Sequence, residues 1–209
     1  MKENYSKTFV CLAALFVVCF ITSNLFATKV FALGPFTLPA AVIIFPISYI
    51  LNDCFTEVWG YRKAMTVIWL GFALNAFVAL MGQFAVWLPG ADFWAGGDHF
   101  DYVFRMAPRV VIASLLAFLV GSTVNALIMK TMKEVDGDRR FGVRAILSSI
   151  AGEFADSLIF MPIVFLGTPW RTLALMMLVQ VSFKVLYEII ILPVTSVVVR
   201  KLKKYESTK

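Results

Sequence analysis

The sequence predicts an all-α polytopic membrane protein, and three observations support this fold class. Apolar residues make up 60% of the 209 residues, charged residues make up 15%, and the mean hydropathy is +0.84. Uncharged apolar runs recur along the chain at lengths that can cross about 30 Å of hydrocarbon. Charged side chains interrupt two of these runs, and because charge is costly at bilayer depth, they indicate a buried polar site.

Six transmembrane helices are predicted, each from an apolar run that is roughly long enough to cross the bilayer. Their expected bounds are 8–32, 36–59, 64–88, 110–129, 145–166 and 172–199. The second helix is expected to bend at Pro39 and Pro46, because proline removes a backbone hydrogen bond inside a helix. Its last third is polar, since it contains Asn52, Asp53 and Glu57.

The first apolar run is interpreted as a spanning helix rather than a cleaved signal peptide. It contains Asn24 and Lys29, lacks a clear cleavage site, and is too long for the apolar core of a signal. The longest predicted loops, 89–109 and 130–144, are too short to fold separately, so residues 1–209 are expected to form a single transmembrane domain. The first of these loops is rich in aromatic residues, which favours a position at the membrane interface.

Lys and Arg are distributed unequally between the two sides of the predicted helices. Fourteen lie on the side of the termini and four on the other, and the nineteenth, Lys184, lies within a helix. Because basic residues accumulate in cytoplasmic loops, both termini are predicted to be cytoplasmic. The fourteen are Lys2, Lys7, Arg62, Lys63, Lys130, Lys133, Arg139, Arg140, Arg144, Arg200, Lys201, Lys203, Lys204 and Lys209, and the four are Lys29, Arg105, Arg109 and Arg171.

The net charge of +6 is explained by these cytoplasmic segments, so the expected partner is the lipid bilayer and not a nucleic acid. No cofactor motif is visible, and none is expected. His99 lies near Asp92, Asp98 and Asp101, but a solvated loop is the preferred interpretation over a metal site. The sequence leaves open whether the chain acts alone or as a homodimer.

Two polar stripes lie on the last two predicted helices. At 100° per residue, one face of the fifth helix and one face of the sixth are polar. A short turn between antiparallel neighbours would bring Asp156 and Lys184 to similar depth, so we expect them to form an ion pair. A purely structural pair is the alternative, but Glu153 and Glu188 add an excess of carboxylate that needs protons or a ligand rich in N–H donors. The stripes consist of Ser149, Glu153, Asp156, Ser157 and Phe160, and of Gln180, Lys184, Tyr187 and Glu188.

Several segments together resemble the queuosine precursor transporter family, once grouped with vitamin uptake transporters. The resemblance rests on FPISYILNDCFTEVWGYRKA (45–64), GEFADSLIF (152–160), FKVLYEIIILP (183–193) and TSN (22–24). Each piece alone is weak, but the combination covers nearly the whole chain and is specific. Members of that family are inner-membrane importers of 7-deazaguanine bases, which bacteria insert into tRNA.

The resemblance implies an importer of such bases in the bacterial inner membrane, with a polar cavity between the helices. A guanine-like edge presents adjacent N–H donors to a carboxylate and a carbonyl oxygen to a donor such as Lys. Aromatic rings, including Phe183, can stack on the flat base. No catalytic residue is expected, and the expected substrate-binding residues are Asn24, Asp53, Glu57, Glu153, Asp156, Phe160, Lys184, Tyr187 and Glu188.

Two alternatives remain open at this point. Substrate-binding subunits of energy-coupling-factor vitamin transporters have similar size, although their Ala-x-x-x-Ala spacing is absent from residues 8–32. An intramembrane aspartyl protease would need two acids, for which Asp53 and Asp156 are candidates. No phosphate-binding loop occurs, so the chain is not expected to hydrolyse ATP, and it would act as a facilitator, a proton-coupled carrier or a subunit.

Overall fold

The computed structural model describes residues 6–136 and 141–207, and it is predominantly helical. Within these residues the α-helices are α1 (Lys7–Phe26), α2 (Phe45–Trp59), α3 (Tyr61–Trp87), α4 (Gly97–Asp136), α5 (Phe141–Val164) and α6 (Trp170–Ser207). Ser6 caps the first of them, because its hydroxyl accepts a hydrogen bond from the Phe9 amide at 3.1 Å. The predicted all-α fold class is confirmed.

The connection between α1 and α2 differs from the prediction. The first helix ends at Phe26, and the chain then forms an antiparallel hairpin of β1 (Val30–Leu33) and β2 (Phe36–Pro39). Gly34 has a φ of 59°, a conformation that favours glycine, and the following Pro35 restricts the same tight turn. A short 3₁₀ helix (Ala40–Ile43) follows, so the expected helix over residues 36–44 is wrong.

The predicted loops after α3 and α4 are also shorter than expected. The fourth helix begins at Gly97 and continues through Pro108, so half of the expected loop 89–109 is helical. Most of the expected loop 130–144 belongs to α4 and α5, and its centre, residues 137–140, lies outside the described residues. The sixth helix extends through the basic tail to Ser207.

Five of the described helices are long and apolar enough to cross a membrane. These spans are Lys7–Phe26, Tyr61–Trp87, Gly97–Met132, Ile146–Val164 and Trp170–Ile191. The remaining helix, α2, has 15 residues and a length of about 22 Å, which is too short for a full crossing by itself. The hairpin and the 3₁₀ helix precede α2, and the predicted sixth crossing stays a prediction.

Two hydrophobic clusters lie at opposite ends of the helices. One joins Ala27, just after α1, to the middle of α4 (residues 110–117), the end of α5 and the start of α6, and Ala41 of the 3₁₀ helix packs against it. The other joins the start of α1 to the end of α2 and the start of α3, and includes an edge-to-face pair of Phe9 and Phe55 with ring centroids 5.5 Å apart. The first end is called the hairpin side, and the second is called the terminal side. The chain therefore returns to the terminal side before α3 begins.

Helices α4 and α5 cross closely at two glycines. A Cβ on Gly152 would lie 2.9 Å from the Gly121 carbonyl oxygen and 2.9 Å from the Asn125 Cβ. A Cβ on Gly121 would lie 3.1 Å from the Asp156 Cβ. Small residues let membrane helices approach in this way, and here the approach places Asp156 against the backbone of α4.

Candidate functional site

Lys184 of α6 lies between two carboxylates of α5. Its Nζ is 2.6 Å from Glu153 Oε2 and 2.9 Å from Asp156 Oδ2, and its side chain is 8% exposed. The ion pair expected between Asp156 and Lys184 is therefore present, and Glu153 joins it. One buried ammonium faces two carboxylates, so the group carries an excess negative charge. An excess charge in a buried site is usually compensated by a proton or a ligand.

The charged group separates two chambers that share Asn52, Phe118, Asp156, Lys184 and Tyr187. Each chamber encloses roughly 1000 Å³ of empty space, part of it open to solvent: about 1090 Å³ on the hairpin side and about 1010 Å³ on the terminal side. A ligand that moves between the chambers must pass these five residues. The charged group therefore lies at the boundary between the two chambers.

The terminal-side chamber is acidic. Asp53 and Glu188 line it together with Glu153 and Asp156, and Asp53 and Glu188 are exposed. Ser149 donates a hydrogen bond of 3.0 Å to Glu188 Oε1, which fixes that carboxylate across the α5–α6 contact. Among the residues that line this chamber, Lys184 is the one cation.

The hairpin-side chamber is largely aromatic. Rings from all helices except α2 surround it, and Pro39, Ala41 and Val42 of the hairpin and the 3₁₀ helix line it as well. Phe183 and Tyr187 lie one turn apart on α6, with nearly parallel rings and centroids 6.4 Å apart. The aromatic residues that line the chamber are Phe16, Phe20, Phe72, Phe118, Phe160, Phe183 and Tyr187. Such a lining suits a flat, apolar-faced ligand.

Several buried polar atoms of this chamber have no hydrogen-bond partner within the described part of the chain. They are Ser23 Oγ, Asn24 Nδ2, Ser48 Oγ, Asn52 Oδ1 and Gln180 Oε1. Leaving one such group unpaired costs about 1–3 kcal/mol. Their convergence on one chamber indicates that water or a polar ligand satisfies them.

Eight of the nine predicted site residues line a chamber, and Glu57 does not. Glu57 lies on the protein surface, where its carboxylate is 2.9 Å from Lys203 Nζ of α6 and its side chain is 61% exposed. The i, i+4 spacing with Asp53 had suggested a shared site, but Glu57 lies about 6 Å further along the helix axis, near the end of α2, where Lys203 is its partner. Glu57 is therefore not a residue of the described cavity.

Sequence reasoning missed several lining residues. Ser23 and Ser48 lie within two of the segments on which the family resemblance rests, 22–24 and 45–64, but the residue type of a serine does not by itself distinguish it from a packing residue. Gln180 belonged to the predicted polar stripe of the sixth helix. Its position one helical turn from Lys184 could have identified it as a lining residue. Ser114 lines the chamber and donates a 2.9 Å hydrogen bond to Asn24 Oδ1, a contact over 90 residues that no local pattern predicts.

A family model described as "Putative vitamin uptake transporter" matches residues 39–198, which is more than half of the chain. The chain belongs to this vitamin uptake transporter family. The match includes both carboxylates of α5 and Lys184. It ends before the last residues of α6 and starts after most of the hairpin, so it covers the helices that build the terminal-side chamber.

Two relatives extend this result. The chain is 24% identical over 148 residues to the "Probable queuosine precursor transporter" of Bacillus subtilis (strain 168), which is 70% of this chain and 65% of that protein. It is 29% identical over 137 residues to the "Putative 2,3-dihydroxypropane-1-sulfonate exporter" of Salmonella typhimurium (strain LT2), which is 63% of this chain and 28% of that protein. The chain thus spans less than two thirds of either relative. No solved structure matches it.

The family is one of transporters, and five of the described helices are long and apolar enough to cross a membrane, so the chain is a multi-pass membrane protein of a transport family. The alternative of an intramembrane aspartyl protease is therefore dropped. The geometry agrees with this result, because Asp156, one of the two acids it would have used, is ion-paired with Lys184 at 2.9 Å.

Proposed function

We propose that this protein imports queuosine precursors, the 7-deazaguanine bases, across the bacterial inner membrane for tRNA modification. The observation that carries the proposal is the buried group of Glu153, Asp156 and Lys184 at the boundary of an aromatic chamber. The relative from Bacillus subtilis is named as a probable transporter of these precursors, which supports the same substrate class.

The chemistry of the base fits this group. Its guanine-like edge presents a ring N–H and an exocyclic amino group to a carboxylate, and its carbonyl oxygen accepts from an ammonium. Asp156 and Lys184 supply both partners within 2.9 Å of each other. Glu153 keeps Lys184 charge-balanced while Asp156 turns to the ligand, since it lies 2.6 Å from the same ammonium.

The aromatic lining suits the flat faces of the base. Phe160 of α5 and Phe183 of α6 line the same chamber as Asp156, so the ring can stack while its edge is hydrogen-bonded. After the base has moved on into the terminal-side chamber, Asp53 and Glu188 provide carboxylates for a cationic aminomethyl substituent.

A sulfonate substrate, the compound class in the name of the relative from Salmonella typhimurium, is disfavoured. Four carboxylates and one ammonium line the terminal-side chamber, and an anion entering it would meet a net repulsive charge. The charge of the cavity therefore favours neutral or cationic ligands.

The proposal is tested in a bacterium that lacks both queuosine synthesis and its own importer. Cells expressing the protein are given each precursor at low concentration, and queuosine in tRNA is measured. We expect restoration with at least one precursor. Verified expression in the membrane without restoration for any precursor would contradict the proposal.

The Asp156→Asn variant tests the site in the same assay. Asparagine keeps the shape of the side chain but replaces one acceptor with a donor, so it cannot bind both N–H groups of the base. We expect uptake to fall at least about tenfold, which corresponds to the loss of about 1.4 kcal/mol of binding. Glu57→Gln is the matched control, because the Glu57–Lys203 pair lies on the surface and contributes about 0–1 kcal/mol. Normal uptake by Asp156→Asn would contradict the assigned role.

A further inference from the structure

The hairpin-side chamber contains two neutral amides with unused hydrogen-bonding capacity. Asn24 of α1 is 5% exposed and Gln180 of α6 is 6% exposed, and both line the chamber. Asn24 Nδ2 and Gln180 Oε1 have no partner in the parts of the chain that the structure describes. One is a donor and the other an acceptor, so together they present both hydrogen-bonding functions.

A hydrogen bond from a neighbouring helix fixes the orientation of the Asn24 amide. Ser114 of α4 donates to Asn24 Oδ1 at 2.9 Å, which occupies the acceptor of the amide and leaves its N–H groups as the free function. The contact joins α1 to α4, so the amide is held by two helices and is not free to turn its oxygen to the chamber without losing that bond. A fixed buried donor of this kind is unfavourable unless a ligand or water accepts from it.

The two chambers differ in the charge of the residues that line them. Among the described residues that line the hairpin-side chamber, the charged ones are Asp156 and Lys184, and they are bound to each other. The further acids, Asp53, Glu153 and Glu188, line the other chamber. A ligand group at Asn24 and Gln180 therefore meets neutral partners, whereas the same group in the terminal-side chamber would meet carboxylates.

We propose that Gln180 and Asn24 form a second recognition contact. This contact binds the substituent on the five-membered ring of the base and determines the preference between a charged and a neutral substituent. The inference rests on the proposed function, because the guanine-like edge must be held at Asp156 and Lys184. The five-membered ring then points away from the charged group into the aromatic chamber. Gln180 precedes Lys184 by four residues on α6, about 6 Å along the helix axis, toward the hairpin side.

The test compares import of the precursor with a nitrile substituent and of the precursor with an aminomethyl substituent, measured side by side as queuosine formation in the deficient strain. Gln180→Glu places a carboxylate against the substituent, so the ratio of amine import to nitrile import is expected to rise at least about tenfold. Asn24→Asp places the charge on α1 instead of α6 and is expected to shift the ratio in the same direction. A ratio within one variant does not depend on how much protein reaches the membrane.

Gln180→Leu removes the acceptor without adding charge, so we expect import of the amine to fall at least about fivefold per protein molecule in the membrane, whereas import of the nitrile, whose substituent has no N–H to donate, should change less. Gln83→Glu is the matched control, because Gln83 of α3 lines neither chamber and donates instead to the Phe104 carbonyl. Its ratio should equal that of the wild type.

The outcomes separate the two proposals. An unchanged ratio in both Gln180→Glu and Asn24→Asp, with the wild type importing a precursor, overturns the second contact and leaves the proposed function intact. Failure of the wild type to import either base overturns the proposed function, and the second contact with it.

Discussion

At the scale of single residues, the position of Lys184 is the central fact. Its ammonium contacts two carboxylates at 2.6 and 2.9 Å in a largely buried setting, where neither acid has another described cation nearby. Removing one member of a buried charged group usually costs about 3–5 kcal/mol, because the remaining charge is left uncompensated. The group is therefore coupled, and substitutions in it are expected to be non-additive.

The first prediction separates recognition from structural pairing. Lys184→Met leaves Glu153 and Asp156 without their cation, so both thermal stability and uptake should fall. Adding Asp156→Asn removes one of the two unpaired charges, and the melting temperature of the purified protein should partly recover. Uptake should not recover, because the ligand partners are still absent. If uptake returns along with stability, the group serves only to hold α5 and α6 together.

At the scale of elements, the close crossing of α4 and α5 determines the position of the α5 carboxylates. Gly121 and Gly152 meet with no room for a side chain, and Asp156 lies directly beside Gly121. Ala113, Ala117 and Gly121 recur every four residues along the same face of α4, and all three are buried. This small-residue face lets the two helices pack closely where the bilayer provides no hydrophobic driving force between them.

The second prediction concerns this crossing. Gly152→Ala introduces a Cβ 2.9 Å from a backbone oxygen that cannot move without shifting α4. Overpacking of this kind costs about 1–3 kcal/mol, so the melting temperature in detergent should fall and uptake should fall with it. Gly97→Ala is the control, because the nearest atom to its added Cβ would be 3.9 Å away. Equal melting temperatures for the two variants would contradict the tight crossing.

At the scale of the whole molecule, the hairpin lies at one end of the helices, and the start of α1 and the end of α6 lie at the other. The hairpin packs against α6, and Lys203 near the end of α6 contacts Glu57 near the end of α2. The basic residues of the tail lie at this same terminal side. The inequality of basic residues predicts that this side faces the cytoplasm.

The third prediction tests that orientation. Asp92 lies between α3 and α4 and Ser207 ends α6, and both are exposed. In intact cells, a membrane-impermeant maleimide should label Asp92→Cys, whereas Ser207→Cys should react only after the membrane is opened. The wild type gives the background from Cys11, Cys19 and Cys54. The reverse pattern of labelling would place the termini outside.

The fold class, the approximate positions of five long helices and the pairing of Asp156 with Lys184 could be predicted from the sequence. Each depends on a local property: the length of an apolar run, or the depth of a charge within it. The hairpin was missed because residues 30–44 are as apolar as the helices that flank them, and hydropathy does not distinguish an apolar strand from an apolar helix over so few residues. Pro39 and Pro46 were interpreted as bends within one helix, although Pro39 ends β2 and Pro46 lies in the first turn of α2.

What the sequence by itself determined is that the chain spans a membrane and carries a buried charged group on its last two helices. Only the tertiary structure decided which neutral residues join that group: it brought Asn24, Ser114 and Gln180 to one chamber and left Glu57 on the surface. The physical reason is that lipid and protein interior are both apolar, so the sequence of a membrane helix does not reveal which of its apolar faces meets a neighbour. A charged residue within an apolar run indicates by itself which face of the helix is buried. For a serine or an amide, burial is known only from the packed structure.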